Sequence, residues 1–198
     1  MDYPPAAVTL EGDHAILIPM TMEHRDDLIS AAKDGELWKL WYTFIPTPDK
    51  MGDYIEGNLL EEKQSKAVPF VIIDKSNHKI VGVTKYLNIE TQIRRLEIGG
   101  TWYAKSVQRT ALNTECKLLL LKHAFESLSC VAVEFRTHWL NHLSRRAIER
   151  LGAKMDGVLR NHKLMADGSI RDTVVYSVLN TEWLAVKNNL LFKLNVRI

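Results

Sequence analysis

The sequence predicts one α/β domain built on a mixed sheet, and three observations carry that expectation. Apolar spacing is helical over the first third, strand-like from Val68 to Tyr103, and alternately helical and strand-like thereafter. No internal repeat, linker or low-complexity tract divides the 198 residues. Residues 1–198 are therefore expected to form a single domain.

The elements follow in order. His14 to Met20, H-A-I-L-I-P-M, is an opening strand ended by Pro19, with Thr21 placed to cap the helix behind it. Helical patterns cover Glu23 to Lys33 and Glu36 to Trp41. Pro48 to Lys66 begins with proline and sets Met51, Tyr54, Ile55, Leu59 and Leu60 at helical spacing, which predicts a long amphipathic helix. Val68 to Asp74 is a continuous apolar run, Lys79 to Leu87 carries Val and Thr, and Ser76-Asn77-His78 between them has turn chemistry. With Arg94 to Tyr103 these segments predict an antiparallel meander. A helix from Ala111 to Leu128, a buried strand from Cys130 to Thr137 and a helix from Asn141 to Leu151 come next, the last closed by Gly152. A hairpin around Ala166-Asp167-Gly168 and a helix from about Thr181 end the pattern.

Hydrophobic residues at 46% and charged residues at 25% exclude both a disordered chain and a membrane-embedded one. No run is long enough to cross a bilayer, and M-D-Y-P-P-A-A lacks the basic start and apolar core of a signal peptide. A cytoplasmic protein is expected. A net charge of +2, with one tight basic cluster at Arg145, Arg146 and Arg150, argues against a nucleic-acid partner. Cys116 and Cys130 sit in apolar segments and are expected to act as small hydrophobes. His138 and His142 have no second ligand pair to complete a tetrahedron, so no metal is expected.

Leu96 to Asn113, L-E-I-G-G-T-W-Y-A-K-S-V-Q-R-T-A-L-N, is the most informative stretch. Gly99 and Gly100 in mid-strand predict a bulge or a close approach to the backbone. The polar loop that follows opens a helix whose first-turn amides and dipole favour an anion.

These residues resemble the GNAT superfamily of acetyl-CoA-dependent N-acetyltransferases, specifically its RimJ/RimL-like ribosomal-protein branch. The family's loop of pattern Q/R-x-x-G-x-G/A aligns with Ser106-Val107-Gln108-Arg109-Thr110-Ala111, so Ser106 and Arg109 depart from it. E-I-G-G-T-W resembles the family's E-I-G-Y strand. T-H-W-L-N-H-L-S-R-R-A-I-E-R-L-G-A resembles T-D-x-x-N-x-x-S-x-x-A-I-x-x-L-G-A, and D-G-S-I-R-D-T-V-V-Y-S-V-L-N-T-E-W resembles the branch's closing hairpin and cap.

The resemblance implies a mostly antiparallel sheet with splayed fourth and fifth strands and helices on both faces. It implies acetyl-CoA as co-substrate and a primary amine as acceptor: a protein N-terminus, an amino acid or a small amine. The alternative is an acyl-CoA-binding module with weak or no turnover. Backbone at Thr101, Trp102 and Tyr103 would pair with the pantetheine arm. Gln108, Arg109, Thr110, Ala111, Leu112 and Asn113 would bind the pyrophosphate, with Asn141, Ser144 and Arg146 adding contacts. At the glycine position, Arg109 either restricts a loop that needs positive φ or sets a guanidinium beside the phosphates.

Transfer to an amine needs a neutral amine, a polarised carbonyl and a protonated leaving thiolate. Glu97 is the candidate base, its pKa raised by burial. Ser144 is the candidate acid, because Ile148 stands where many members place a tyrosine. Both are expected on one side of the sheet. Trp38, Trp41 and Tyr42 lie in the segment that covers the acceptor cleft in similar proteins. The apolar tail from Leu190 to Ile198 is a candidate homodimer contact.

Overall fold

Alternating apolar residues and well-placed turns gather eight strands into one sheet in the computed structural model, which describes residues 5–195. The last three residues of the candidate dimer tail lie outside that range. The strands are β1 (Leu10–Glu11), β2 (Ala15–Pro19), β3 (Ala67–Asp74), β4 (Lys79–Glu90), β5 (Arg95–Tyr103), β6 (Ala132–His138), β7 (Lys154–Leu164) and β8 (Ile170–Leu179). Their spatial order is β1-β2-β3-β4-β5-β6-β8-β7, and every neighbouring pair is antiparallel except β5 with β6. The expected meander is therefore present as β3-β4-β5.

The helices are α1 (Arg25–Lys33), α2 (Met51–Lys63), α3 (Ala111–Lys122), α4 (His142–Leu151) and α5 (Trp183–Asn195). They cover both faces of the sheet, and two consecutive residues of β4 show how. Tyr86 donates its hydroxyl to the Leu120 carbonyl of α3 at 2.7 Å, while Lys85 reaches Asn58 Oδ1 at 2.9 Å and Glu61 Oε2 at 2.8 Å on α2. On the α3 side lie Phe70, Tyr86, Leu112, Cys116, Leu120 and Leu121, all buried. Each such large side chain contributes roughly 1.5–3 kcal/mol on burial. Arg150 of α4 donates to Thr114 Oγ1 of α3 at 2.9 Å, which places α4 on that same side. Glu115 of α3 accepts the backbone amides of Asp13, His14 and Ala15 at 2.8, 2.6 and 2.7 Å, fastening the β1–β2 turn.

Three expectations change. The helix expected from Glu36 to Trp41 is one 3-10 turn, Leu37–Lys39, because Gly35 and Glu36 take φ of 93° and 46° and break the chain direction. The helix expected to run to Leu128 leaves α geometry after Lys122, and His123–Ser127 form a π turn. Strand β1 was not anticipated. Among the described residues no helix is long and apolar enough to cross a membrane.

One departure from regular pairing matters most for function. Strand β5 pairs with β4 as far as Tyr103 but with β6 only from Arg95 to Glu97. Beyond Glu97 the two parallel strands part.

Candidate active site

The split in the sheet starts where β5 is distorted. Lys85 pairs with Gly99 and Val83 with Trp102, so β5 carries one extra residue against β4, and Gly100 takes φ of 57°. A Cβ on Gly99 would stand 2.7 Å from Glu97 Oε1, and one on Gly100 would stand 2.9 Å from Lys85 Cε. The positive φ makes Gly100 the position that needs glycine, while a side chain at Gly99 would push the Glu97 carboxylate aside. The bulge also reverses which face a side chain meets. Glu97 and Gly99 lie on the α2 side, whereas Thr101 turns to the α3 side and accepts from Lys117 Nζ at 2.7 Å. Thr101, Trp102 and Tyr103 end the stretch of β5, from Ile98 on, that has no β6 neighbour.

Glu97 is 5% exposed at the last paired position, opposite Glu134 of β6. Glu134 Oε1 accepts from Arg95 Nε at 2.5 Å, and its Oε2 accepts from Arg136 Nε at 2.9 Å. Glu97 has thinner support. Asn88, held at φ of 49° where the β4–β5 register shifts, donates to Glu97 Oε2 at 2.7 Å, and Arg136 Nε lies 3.6 Å away. Burial pushes the Glu97 carboxyl above its ordinary range, against the opposing pull of Asn88, Arg136 and Arg171. Its two partners, Asn88 and Arg136, line a cavity of about 620 Å3 together with Glu61 and Lys85.

The loop after β5 makes a 3-10 turn, Lys105–Val107, tied to α1 through Ser106 N and Asp34 Oδ2 at 3.0 Å. Arg109 then takes φ of 65°, the left-handed conformation that glycine adopts most readily. Thr110 caps α3, donating to the Val107 carbonyl at 2.8 Å and accepting from Leu112 N at 3.3 Å. That cap occupies the Leu112 amide, while the other first-turn amides, from Ala111 to Asn113, have no carbonyl one turn back to bond. The first turn carries no acidic side chain, and Arg109 is exposed beside it. This end of α3 therefore suits a diphosphate. Gln108 points elsewhere, donating from Nε2 to the Tyr103 carbonyl at 3.0 Å.

An open strand edge, a diphosphate-suited helix start and a buried carboxylate thus meet at one gap. Residues 14–154 match the model of the acetyltransferase (GNAT) domain. The chain belongs to the GNAT acetyltransferase family. A GCN5-related N-acetyltransferase from Brucella melitensis is 28% identical with a TM-score of 0.86, over 96% of this chain and 86% of that one. A protein described as an acetyltransferase from T. thermophilus is 34% identical with a TM-score of 0.83, over 96% and 98% of the two chains. The self-immunity acetyltransferase MccE, solved with acetyl-CoA and AMP, shares the fold at 19% identity and a TM-score of 0.74, over 85% and 93%. No curated protein matches the chain. Membership makes this protein an acyltransferase dependent on acetyl-CoA.

In this acetyltransferase the remaining candidates fall into two groups. Asn141 Oδ1 accepts from Ser144 N at 3.0 Å and so serves as the α4 cap, with Ser144 half-buried and Arg146 exposed. Because α4 packs on the α3 side and Glu97 lies on the α2 side, Ser144 and Glu97 belong to opposite faces of the sheet. That corrects the expected common side; between the two faces β5 and β6 are paired only as far as Glu97. The aromatic segment lies against the face of the sheet that carries Glu97 and His138. Trp41 is 53% exposed, with its ring edge-on to His138 at 5.2 Å and to Tyr42 at 5.7 Å, while Trp38 packs against the core. His138 Nδ1 accepts the Leu140 amide at 3.0 Å, and burial together with Arg171 lowers its pKa. Among the described residues no cluster of His, Cys, Asp or Glu could hold a metal.

Sequence reasoning missed Asn88, Glu134, Arg136 and Arg171. A signal for two of them was present: Glu134 and Arg136 are charges two apart around Phe135 in a strand that opens with Ala132 and Val133, hence on one face of it.

Proposed function

We propose that the protein is a single-domain N-acetyltransferase of the RimJ/RimL-like branch that acetylates a primary amine, with Glu97 as general base. The observation that carries this reading is a buried, under-supported carboxylate at the mouth of the split, whose partners Asn88 and Arg136 line a cavity. Acetyl-CoA supplies an activated thioester. Amides at the start of α3, with Arg109, hold its diphosphate, and backbone from Thr101 to Tyr103 positions its arm.

A raised pKa suits Glu97 to take a proton from an incoming ammonium and leave a neutral nucleophile. Arg136 and Asn88 keep the carboxylate pointed at the gap. Ser144, from the α4 side, returns a proton to the leaving sulfur. Trp41 and Tyr42 wall the acceptor side and limit water. The test is calorimetric titration with acetyl-CoA, followed by thiol release over a panel of amines and peptides. The expected result is saturable binding with amine-dependent release of CoA. Binding without release for any amine would overturn the reading.

A further inference from the structure

With Lys85 of β4 already paired to Glu61 of α2, five charged groups of β5, β6 and β8 remain on the acceptor side around the split: Glu97, Glu134, Arg95, Arg136 and Arg171. Three are guanidinium groups and two are carboxylates. Glu134 is consumed by Arg95 and Arg136. Asp172, next in the chain to Arg171, is consumed as well, pairing with Arg160 at 2.5 Å and accepting Asn161 N at 2.8 Å. Among the described residues Arg171 makes no ion pair. Its side chain is nevertheless held in place, because Nε donates to Thr173 Oγ1 at 2.9 Å and Thr173 is buried opposite His138 in the β6–β8 register.

Arg171 is half-buried, and its field reaches both Glu97 and His138. By the strand registers it lies on the same face of the sheet as Glu97 and the His138–Trp41 pair. A partly desolvated guanidinium with an unspent fork of donors favours a planar anion that can bind two-pronged. The local imbalance grows during the reaction. When Glu97 takes the proton of the acceptor, three cations face one remaining carboxylate.

We propose that Arg171 receives a carboxylate of the acceptor, so that the preferred substrates are amines that also carry a carboxylate. This rests on the acetyltransferase reading and narrows its acceptor class. Arg171 is then a specificity-determining residue: it anchors the acid end while Glu97 addresses the amine end.

The experiment compares glycine, β-alanine and 4-aminobutyrate with their carboxamides, and phosphoethanolamine with β-alanine, in the thiol-release assay. The natural protein is expected to favour at least one acid over its amide in kcat/KM by about tenfold to a hundredfold. Arg171→Gln should collapse that ratio towards one, and Arg171→Lys should restore part of it. Taking the ratio removes any effect that Arg171 has on Glu97 or on folding. Equal use of acids and amides by the natural protein, an unchanged ratio in Arg171→Gln, or preference for phosphoethanolamine would overturn the proposal. If no amine is acetylated, the transferase reading fails by itself. Calorimetric binding of the same acids and amides to the CoA-loaded protein then decides the role of Arg171: acid-selective binding that Arg171→Gln abolishes supports it, and equal binding refutes it.

Discussion

Glu97 and Glu134 face each other across the parallel register of β5 and β6, almost equally buried at 5% and 6%, yet their surroundings differ. Glu134 spends both oxygens on arginines. Glu97 has one asparagine donor at 2.7 Å and an arginine at 3.6 Å, and burial raises its pKa. The same strand pair thus holds one carboxylate as structure and the other as chemistry. The α3 side of β5 repeats the lesson with a cation. Lys117 is buried against two hydroxyls, Thr101 at 2.7 Å and Thr84 at 3.3 Å, and burial lowers its pKa to about 8.

The sharpest way to break this comparison is Glu97→Gln, which should lower kcat/KM by about 10²–10⁴ with acetyl-CoA affinity unchanged in calorimetry. In the natural protein kcat/KM should rise with pH through a limb above the ordinary carboxylate range, as Glu97 loses its proton. That limb should vanish in the variant. Lys117→Met comes next and should stabilise. Below pH 8 the lysine is charged in both folded and unfolded chains, while between about 8 and its usual 10.5 only the unfolded chain keeps the proton. Stability of the natural protein therefore rises with pH through that window, by about 3 kcal/mol in all. The variant should be more stable at pH 7 by a similar amount, and urea denaturation across the window should show no rise.

Glu134→Gln should destabilise by about 1–3 kcal/mol, because Arg95 and Arg136 lose their shared counter-ion while keeping partial access to water. Urea denaturation would show this, and turnover should survive far better than in Glu97→Gln. If the two variants lost turnover alike, the division of labour between the carboxylates would be wrong. The smallest effect is expected from Arg109→Gly. It relieves the left-handed residue, a gain of less than about 1 kcal/mol once the added freedom of the unfolded glycine is counted. Weaker acetyl-CoA binding in that variant would assign the guanidinium to the phosphates, and unchanged binding would leave Arg109 a strained substitute for glycine.

Local chemistry explains what the sequence made visible. The paired glycines announced the bulge because few other residues accept a φ of 57° with a lysine side chain in contact. Gly152, at φ of 104°, announced the end of α4. What stayed hidden depends on register between distant segments. Asn88 reaches Glu97 through a shift in the β4–β5 ladder, and Glu134 faces it only through the parallel pairing of β5 with β6. Strand β1 has two residues, and the turn that pairs it with β2 is held by a carboxylate about a hundred positions later, which local periodicity does not encode. The opposite faces occupied by Glu97 and α4 likewise follow from the split and not from spacing along the chain.

That split has one more consequence. From Ile98 to Tyr103 the main chain on the β6 flank is a zipper left half undone, and any molecule seated there serves as its absent teeth. Heat tolerance then becomes a gauge of metabolite supply, because a ligand at a hundred times its Kd adds about 2.7 kcal/mol to the folded state. A cell short of that metabolite would hold a less stable protein.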